Sequence, residues 1–267
     1  MKSPSLGSIN NIPHIFNKRR VSGVTVKQGD PIRFHDRLAA DWESKYQKAS
    51  FQGRMKAFLS LLDGISLSDE KWLDAGCGSG VLTRALASRC RSVTGVDASS
   101  DMIQVARNSN SNQTHSVNDP VFEVVETIER LEFAESSFDG VLCSSVLEYL
   151  KDPGEAIAQF YRVLRPGGVL LVSVPNKKSL LRRTQKLLHS ILKNCLGIDW
   201  PAYLAFSRHS YTYPSFVQLL RSNDFTVESA IGYGPYMPNI SREIRFTKSI
   251  IICLARKKVS EDLLITS

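Results

Sequence analysis

The sequence predicts an α/β fold, a mostly parallel sheet with helices on both faces. Three observations carry that expectation. The stretch Lys71–Gly80, Lys-Trp-Leu-Asp-Ala-Gly-Cys-Gly-Ser-Gly, runs from an apolar segment into a glycine-rich turn, and Val81–Ala87 follows with apolar residues at helical spacing. Apolar runs recur at Ser92–Asp97, Phe122–Glu126, Phe138–Ser144 and Val169–Val174, with helix-forming segments between them. An acid, Asp97, closes the second run about 20 residues beyond the glycine loop, where α/β folds that bind nucleotides place a ribose acceptor.

Composition bounds the rest. The 267 residues suffice for one large domain with additions, and the hydrophobic fraction of 42% is ordinary. No apolar run approaches the roughly 20 residues of a spanning helix. Met1–Asn11 is polar and lacks an apolar h-region, so no secretory signal is expected. The cysteines, Cys77, Cys90, Cys143, Cys195 and Cys253, are odd in number and dispersed, which fits reduced thiols in the cytoplasm better than a disulfide framework. The net charge of +8 gathers at Lys18–Arg20, Lys177–Lys186 and Arg256–Lys258. It reads either as a solvated surface or as an attraction to polyanions. Aromatics are not interleaved with these clusters as base-stacking surfaces require, which argues against nucleic acid. Residues 1–30 are expected as a flexible tail, 31–258 as the folded domain and 259–267 as a second tail.

In chain order, Phe34, Leu38 and Trp42 predict one short helix, and Met55, Phe58, Leu59 and Leu62 a second that ends near Gly64. The glycine loop then departs from the dinucleotide fingerprint. Gly76 and Gly78 fit G-x-G-x-x-G, but Val81 holds its third position and the extra glycine falls one residue early, at Gly80. Glu155–Leu164 predicts an amphipathic helix stopped by Arg165-Pro166-Gly167-Gly168. Val169–Val174 is apolar throughout and predicts a buried central strand. Beyond an insertion at Lys177–Phe206, Ser215–Ser222 predicts a helix, and Phe225–Ala230 and Lys248–Ala255 the last strands.

The pattern Asp-x-Gly-x-Gly-x-Gly at 74–80 resembles motif I of the class I methyltransferases that use S-adenosylmethionine (SAM). Phe138-Asp139 before an apolar strand and Arg162-Val-Leu-Arg-Pro-Gly-Gly168 before the next strengthen the likeness. Val146-Leu147-Glu148-Tyr149-Leu150-Lys151-Asp152-Pro153 resembles the Leu-Glu-His-x-x-Asp-Pro segment of the ubiquinone/menaquinone-type enzymes. The resemblance spans Arg54 to Lys257. It implies a Rossmann-like seven-stranded, mostly parallel sheet with an antiparallel last strand, and SAM along the C-terminal strand ends. It also implies methylation of a small-molecule acceptor, most readily at a hydroxyl oxygen, with an amine or carbon acceptor as the alternative.

The likeness assigns residues one by one. Asp74, Gly76, Gly78 and Gly80 form the cofactor loop. Arg54 falls where related enzymes meet the SAM carboxylate; otherwise it is a surface arginine. Asp97 accepts the ribose hydroxyls, or else caps the next helix. Ala98 and Met102 lie beside the adenine, or Met102 is core. In acid-Ala-x-x-Leu-Pro-Phe, the adenine-amino acceptor position holds Thr127, a degraded match, and Ile128 offers its backbone N–H. Ser144 ends the fourth strand over the cofactor. Some relatives recruit a divalent metal through an acid before the Glu and through the His; Ser145 and Tyr149 stand there, so no metal is expected.

Methyl transfer needs a base only if the acceptor arrives protonated. His209 is the first candidate and Glu148 the second; a hydrogen-bonded structural histidine and an ion-paired carboxylate are the plainer readings. In the insertion, Leu180, Leu181, Leu187, Leu188, Ile191 and Leu192 share one helical face, opposite Arg182, Arg183, Lys186 and Lys193. This predicts a lid that packs its apolar stripe on the domain, or a peripheral membrane contact through 177–196. Trp200, Tyr203 and Phe206 follow as pocket-lining aromatics. Two rivals stand beside this reading. Val81 argues against a nicotinamide-dependent reductase. The Thr127 mismatch keeps open a non-catalytic relative that binds SAM, a membrane or a partner. A nucleic-acid base methyltransferase would need Asn/Asp-Pro-Pro-aromatic where the chain has Cys143-Ser144-Ser145-Val146.

Overall fold

The computed structural model describes residues 31–37, 39, 49–111, 118–197, 200–234 and 248–259. The expected tails, apart from Val259, lie outside these residues, as do Leu38 and Trp42 of the first expected helix. Among the described residues seven strands form one sheet, in the order β3-β2-β1-β4-β5-β7-β6. They are β1 (Lys71–Ala75), β2 (Ser92–Asp97), β3 (Val121–Val124), β4 (Phe138–Ser144), β5 (Leu164–Pro175), β6 (Phe225–Tyr233) and β7 (Ile250–Lys257). The first five pair in parallel, and β7 runs antiparallel to both β5 and β6. The Rossmann-like sheet with one reversed strand is therefore present. The chain moves outward from β1 to β3, then returns beside β1 with β4. That reversal opens a crevice at the carboxyl ends of β1 and β4, the place where open α/β sheets bind ligands.

The helices are α1 (Pro31–Asp36), α2 (Ala49–Ser60), α3 (Val81–Ala87), α4 (Ser100–Ser111), α5 (Pro153–Val163), α6 (Leu180–Leu196) and α7 (Tyr213–Arg221). One core joins Phe58 of α2 and Leu82 and Leu86 of α3 to Trp72, Leu142 and Leu171. The other joins Ile157 and Phe160 of α5 and Phe216 and Leu220 of α7 to Leu73, Val141 and Val172. Alternate residues of each strand thus serve opposite cores, and strands covered on both faces are apolar throughout. Gly140 is required by this packing: a Cβ there would sit 2.2 Å from the indole of Trp72. The neighbouring Asp139 accepts from Lys71 N–H at 2.6 Å and pairs with Arg165, so the Phe-Asp motif fastens the starts of β1 and β4.

Local sequence sets the helix ends. Asp152 caps α5, accepting from the N–H groups of Gly154 and Glu155, with Pro153 pre-set for the first turn. Thr212 and Ser215 form a capping box on α7. Two expectations are corrected. Strand β5 begins at Leu164 rather than Val169; Pro166, Gly167 and Gly168 lie in a register jump between the pairs Phe138↔Leu164 and Gly140↔Val169. More consequentially, α6 does not pack its apolar stripe on the domain. No α6 residue is buried, and Leu180, Leu187, Leu188 and Ile191 are exposed. Its half-buried side instead carries Leu181, Arg182, Gln185, His189 and Leu192. Polar anchors set this rotation. Gln185 accepts from Tyr203 O–H at 3.0 Å, the Arg182 guanidinium lies 5.8 Å from the Tyr203 ring, and His189 Nδ1 meets Trp200 O at 3.3 Å.

Candidate active site

At the end of β1 the backbone turns through Gly76, Gly78 and Gly80, all at positive φ. Gly76 cannot be replaced cheaply, since its φ is +81° and a Cβ would lie 2.2 Å from Val146 Cγ2. The loop is held from below. Gly76 and Cys77 N–H both donate to Val96 O, and the buried Asp74 accepts from Thr83 O–H at 2.7 Å. Asp74 is therefore a post between β1 and α3. Burial pushes its pKa up to about 7, with the Thr83 hydrogen bond opposing and the nearby Asp97 adding to the rise. Ser79, which sequence reasoning passed over, is buried in the same loop and its Oγ has no partner among the described residues.

Asp97 stands at the end of β2. One carboxylate oxygen accepts from Gly78 N–H at 2.9 Å, the other from Ser99 N–H at 2.9 Å. The cap of α4 is Ser99 rather than Asp97, because Ser99 Oγ accepts from Met102 N–H at 3.1 Å. Asp97 is thus released from the capping alternative. A carboxylate has about four acceptor sites, so two hydroxyls can join the two N–H donors. Burial raises its pKa, while the Ser99 and Gly78 N–H groups and His35 lower it. Ala98 lies between the two contacts in sequence. Met102 is 1% exposed and belongs to the interior. Ile128 is likewise buried in the core. Thr127 Oγ1 accepts from Glu129 N–H and donates to Glu129 Oε2, so its hydroxyl is already engaged by its own loop.

Arg54 is not a surface residue. It reaches from α2 to the end of β4, donating to Ser145 Oγ at 3.3 Å and Ser144 Oγ at 3.4 Å. Its guanidinium brings a fixed positive charge to the end of β4, the strand that pairs with the glycine loop's β1. Ser145 itself adopts φ +58° and its N–H donates to Ser173 Oγ. Acceptor oxygens at Asp97, a cation at Arg54 and a glycine-rich turn fit a nucleoside carrying an amino-acid carboxylate. The residues present therefore fit SAM.

The turn after β4 carries Glu148, 2% exposed, whose Oε2 has no partner among the described residues. Burial raises its pKa to about 7; Arg182, its own backbone N–H and Arg54 pull the other way. Arg182 comes from α6, and its Nη1 is also buried with no hydrogen-bond partner among the described residues. Sequence reasoning placed Arg182 on an outward basic face. The missed signal is the polar series Arg182, Gln185 and His189 at i, i+3 and i+7, which lies between the two stripes. His209, the first-named base, instead secures the loop before α7. Its Nε2 meets Leu150 O at 3.1 Å and its backbone N–H donates to Glu148 O. Above the crevice, α1 forms a roof. Asp36 accepts from Ser99 O–H, the His35 ring meets Tyr149 edge-on, and Phe34 meets Phe206 with centroids 4.8 Å apart. Among the described residues no three His, Cys, Asp or Glu side chains cluster as a metal site.

Residues 73–172 match the family described as "Methyltransferase domain". The chain is 30% identical over 198 residues to the mitochondrial ubiquinone biosynthesis O-methyltransferase of Mus musculus, covering 68% of this chain and 49% of the relative. It spans about half the length of the curated relatives it matches. Among solved structures, a SAM-dependent methyltransferase of Methanosarcina mazei superposes with a TM-score of 0.58 at 23% identity, over 75% of this chain and 98% of the other. The N-methyltransferase NodS of Bradyrhizobium japonicum, solved with S-adenosylhomocysteine, gives 0.58 at 19% identity, over 85% and 97%.

Proposed function

Because the chain carries a methyltransferase domain on the Rossmann-like class I sheet, we propose that it is a SAM-dependent methyltransferase acting on a hydroxyl of a small molecule. The observation that carries this reading is the junction of the glycine loop with Asp97, Gly78 N–H on Asp97 Oδ2, at the carboxyl ends of β1 and β2. Asp97 would hold the ribose, Arg54 the amino-acid carboxylate, and the backbone at Ile128 the adenine edge. When bound, SAM supplies an electrophilic methyl group on a sulfonium. The names of the ubiquinone-type relatives support an oxygen acceptor.

The chain's own part is alignment, exclusion of water and proton removal. Phe34, His35, Tyr149 and Phe206 close the crevice from above. Glu148 Oε2 takes the proton of the acceptor hydroxyl. A base of pKa about 7 is half-ionised near neutrality, so it can accept and release a proton at working pH. Arg182 and Arg54 keep its ionised form accessible despite burial.

Calorimetry tests the cofactor: SAM and S-adenosylhomocysteine should each bind one per chain. Failure of both to bind folded protein would sink the proposal. Mass spectrometry of phenolic and other hydroxylated acceptors tests the reaction. Transfer to amines alone would move the acceptor from oxygen to nitrogen.

A further inference from the structure

We propose that Arg182 is a positioning residue for Glu148, and that α6 acts on the reaction by delivering it. Its role presupposes Glu148 as the base of the proposed methyl transfer. No residue of α6 is buried, yet Nη1 of its Arg182 is. The helix thus brings a charge into the interior without joining either core. It rests on the same segment that grips Glu148. The Arg182 guanidinium lies 5.8 Å from the Tyr203 ring, and Gln185 accepts from Tyr203 O–H at 3.0 Å. Tyr203 O in turn accepts from Ser207 N–H at 3.1 Å, and Glu148 O accepts from Arg208 N–H at 2.8 Å. Seating α6 on Tyr203 and bringing its guanidinium within reach of Glu148 are therefore one event.

Glu148 Oε2 and Arg182 Nη1 are both buried, and neither has a hydrogen-bond partner among the described residues. The two groups act on each other through charge, without a bond between these atoms. That arrangement suits a base. A direct hydrogen bond would occupy the oxygen that must take a proton, whereas a nearby cation favours the ionised carboxylate and leaves Oε2 open. The other groups around Glu148 cannot substitute. Tyr149 faces it from its own turn, Tyr203 from the segment that α6 rests on, Tyr211 from the approach to α7 and Cys143 from β4. Burial raises the pKa of all four, so they stay neutral at working pH. The His209 ring is engaged with Leu150 O. Arg54 of α2 is the second cation; it donates to Ser144 and Ser145 and acts on Glu148 less strongly than Arg182 does.

Titration of the carboxylate itself tests this. Carbon-13 spectra of the full chain labelled at its glutamate carboxyl carbons, with Glu148 assigned by its loss in Glu148→Gln, should give a midpoint of about 7. In Arg182→Leu the midpoint should move up by about one pH unit, the size that loss of one nearby opposite charge produces. Arg182→Lys keeps the charge and should bring most of the shift back. Gln185→Ala loosens α6 from Tyr203 and should move the midpoint part of the way in the same direction. The acidic limb of kcat/KM should follow, leaving Arg182→Leu about tenfold slower at any pH below the limb. An unmoved midpoint in Arg182→Leu overturns the proposal and leaves Glu148 free to be the base. Parental titration in Gln185→Ala overturns the part assigned to the seating of α6. A midpoint that moves while the limb stays overturns Glu148 as the base, and the positioning role falls with it.

Discussion

The two sides of the crevice satisfy their polar groups in opposite ways. On the β1–β2 side, Asp74, Asp97 and Thr127 all have partners within the chain, with Ser79 Oγ the exception. On the side of the β4 turn and α6, Glu148 Oε2, Arg182 Nη1 and Ser207 Oγ are buried with no hydrogen-bond partner among the described residues. Each such atom costs about 1–3 kcal/mol when nothing meets it. The first side is a finished scaffold that presents backbone and spare lone pairs to a ligand. The second is incomplete until an acceptor's polar group enters. The contrast separates a cofactor site, built once into the sheet, from an acceptor site assembled by segments laid over it.

The sharpest way to break the comparison is Glu148→Gln. Loss of a general base should lower kcat by about a hundred- to ten-thousand-fold, while SAM affinity stays unchanged. The pH profile checks the assignment. A base must be deprotonated to act, so kcat/KM should fall as pH drops below about 7. The variant should lose that limb. If the variant keeps both rate and pH profile, the unpartnered carboxylate is structural and the two sides are not functionally distinct.

The finished side should fail differently, through the fold. Gly76→Ala forces a side chain into φ +81° and against Val146. The strained backbone and the overpacking together should cost about 2–4 kcal/mol in urea unfolding, with SAM binding lost as well. Adding Val146→Ala should return the packing part and leave the backbone part. Full recovery would mean that the positive φ carries no cost here.

These two sides also differ in how plainly the sequence announces them. The glycine loop, Asp97 and the Phe-Asp start of β4 depend on backbone conformation and strand ends, which short local motifs encode. The strands of the sheet and the α5 stop follow from apolar runs and Pro/Gly punctuation for the same reason, whereas the reversal of β7 comes only from the family resemblance. Spacing from the glycine loop favours the ribose reading of Asp97, and the structure adds that Ser99, not Asp97, caps α4. Local pattern misassigned α6, because the apolar stripe was the strongest periodic signal and the domain nevertheless holds the helix by Arg182, Gln185 and His189. Glu148 and Arg182 are 34 residues apart in the chain, and their shared burial arises only from tertiary packing.

Asp97→Ala gives a smaller effect than loss of the base. It removes charge-assisted hydrogen bonds worth roughly 1.5–3 kcal/mol, so SAM should bind at least about tenfold more weakly by calorimetry. Part of the loss should come from Gly78, whose N–H then has no acceptor. Asp97→Asn retains one acceptor oxygen and should fall between. An unchanged dissociation constant in a folded Asp97→Ala protein would remove the ribose role and make Asp97 only a brace for the loop.

The smallest expected effect concerns Asp74 and the pH dependence of stability. Its pKa rises from 3.8 to about 7 in the folded chain, chiefly through burial. The folded state therefore retains a proton that the unfolded chain releases in this interval. Stability from this source is fully present below the unfolded value and is lost as pH rises toward about 7. Glu148, raised from 4.5 to about 7, adds a contribution of the same sign. Urea midpoints should thus decline between mildly acidic and neutral pH. Asp74→Asn keeps an oxygen for the Thr83 hydroxyl and removes the titration, so its decline should be shallower but not absent. The double variant with Glu148→Gln should be flatter still. Should Asp74→Asn decline as steeply as the parent, Asp74 is already ionised at acidic pH, and the Thr83 hydrogen bond outweighs burial at the post beneath the loop.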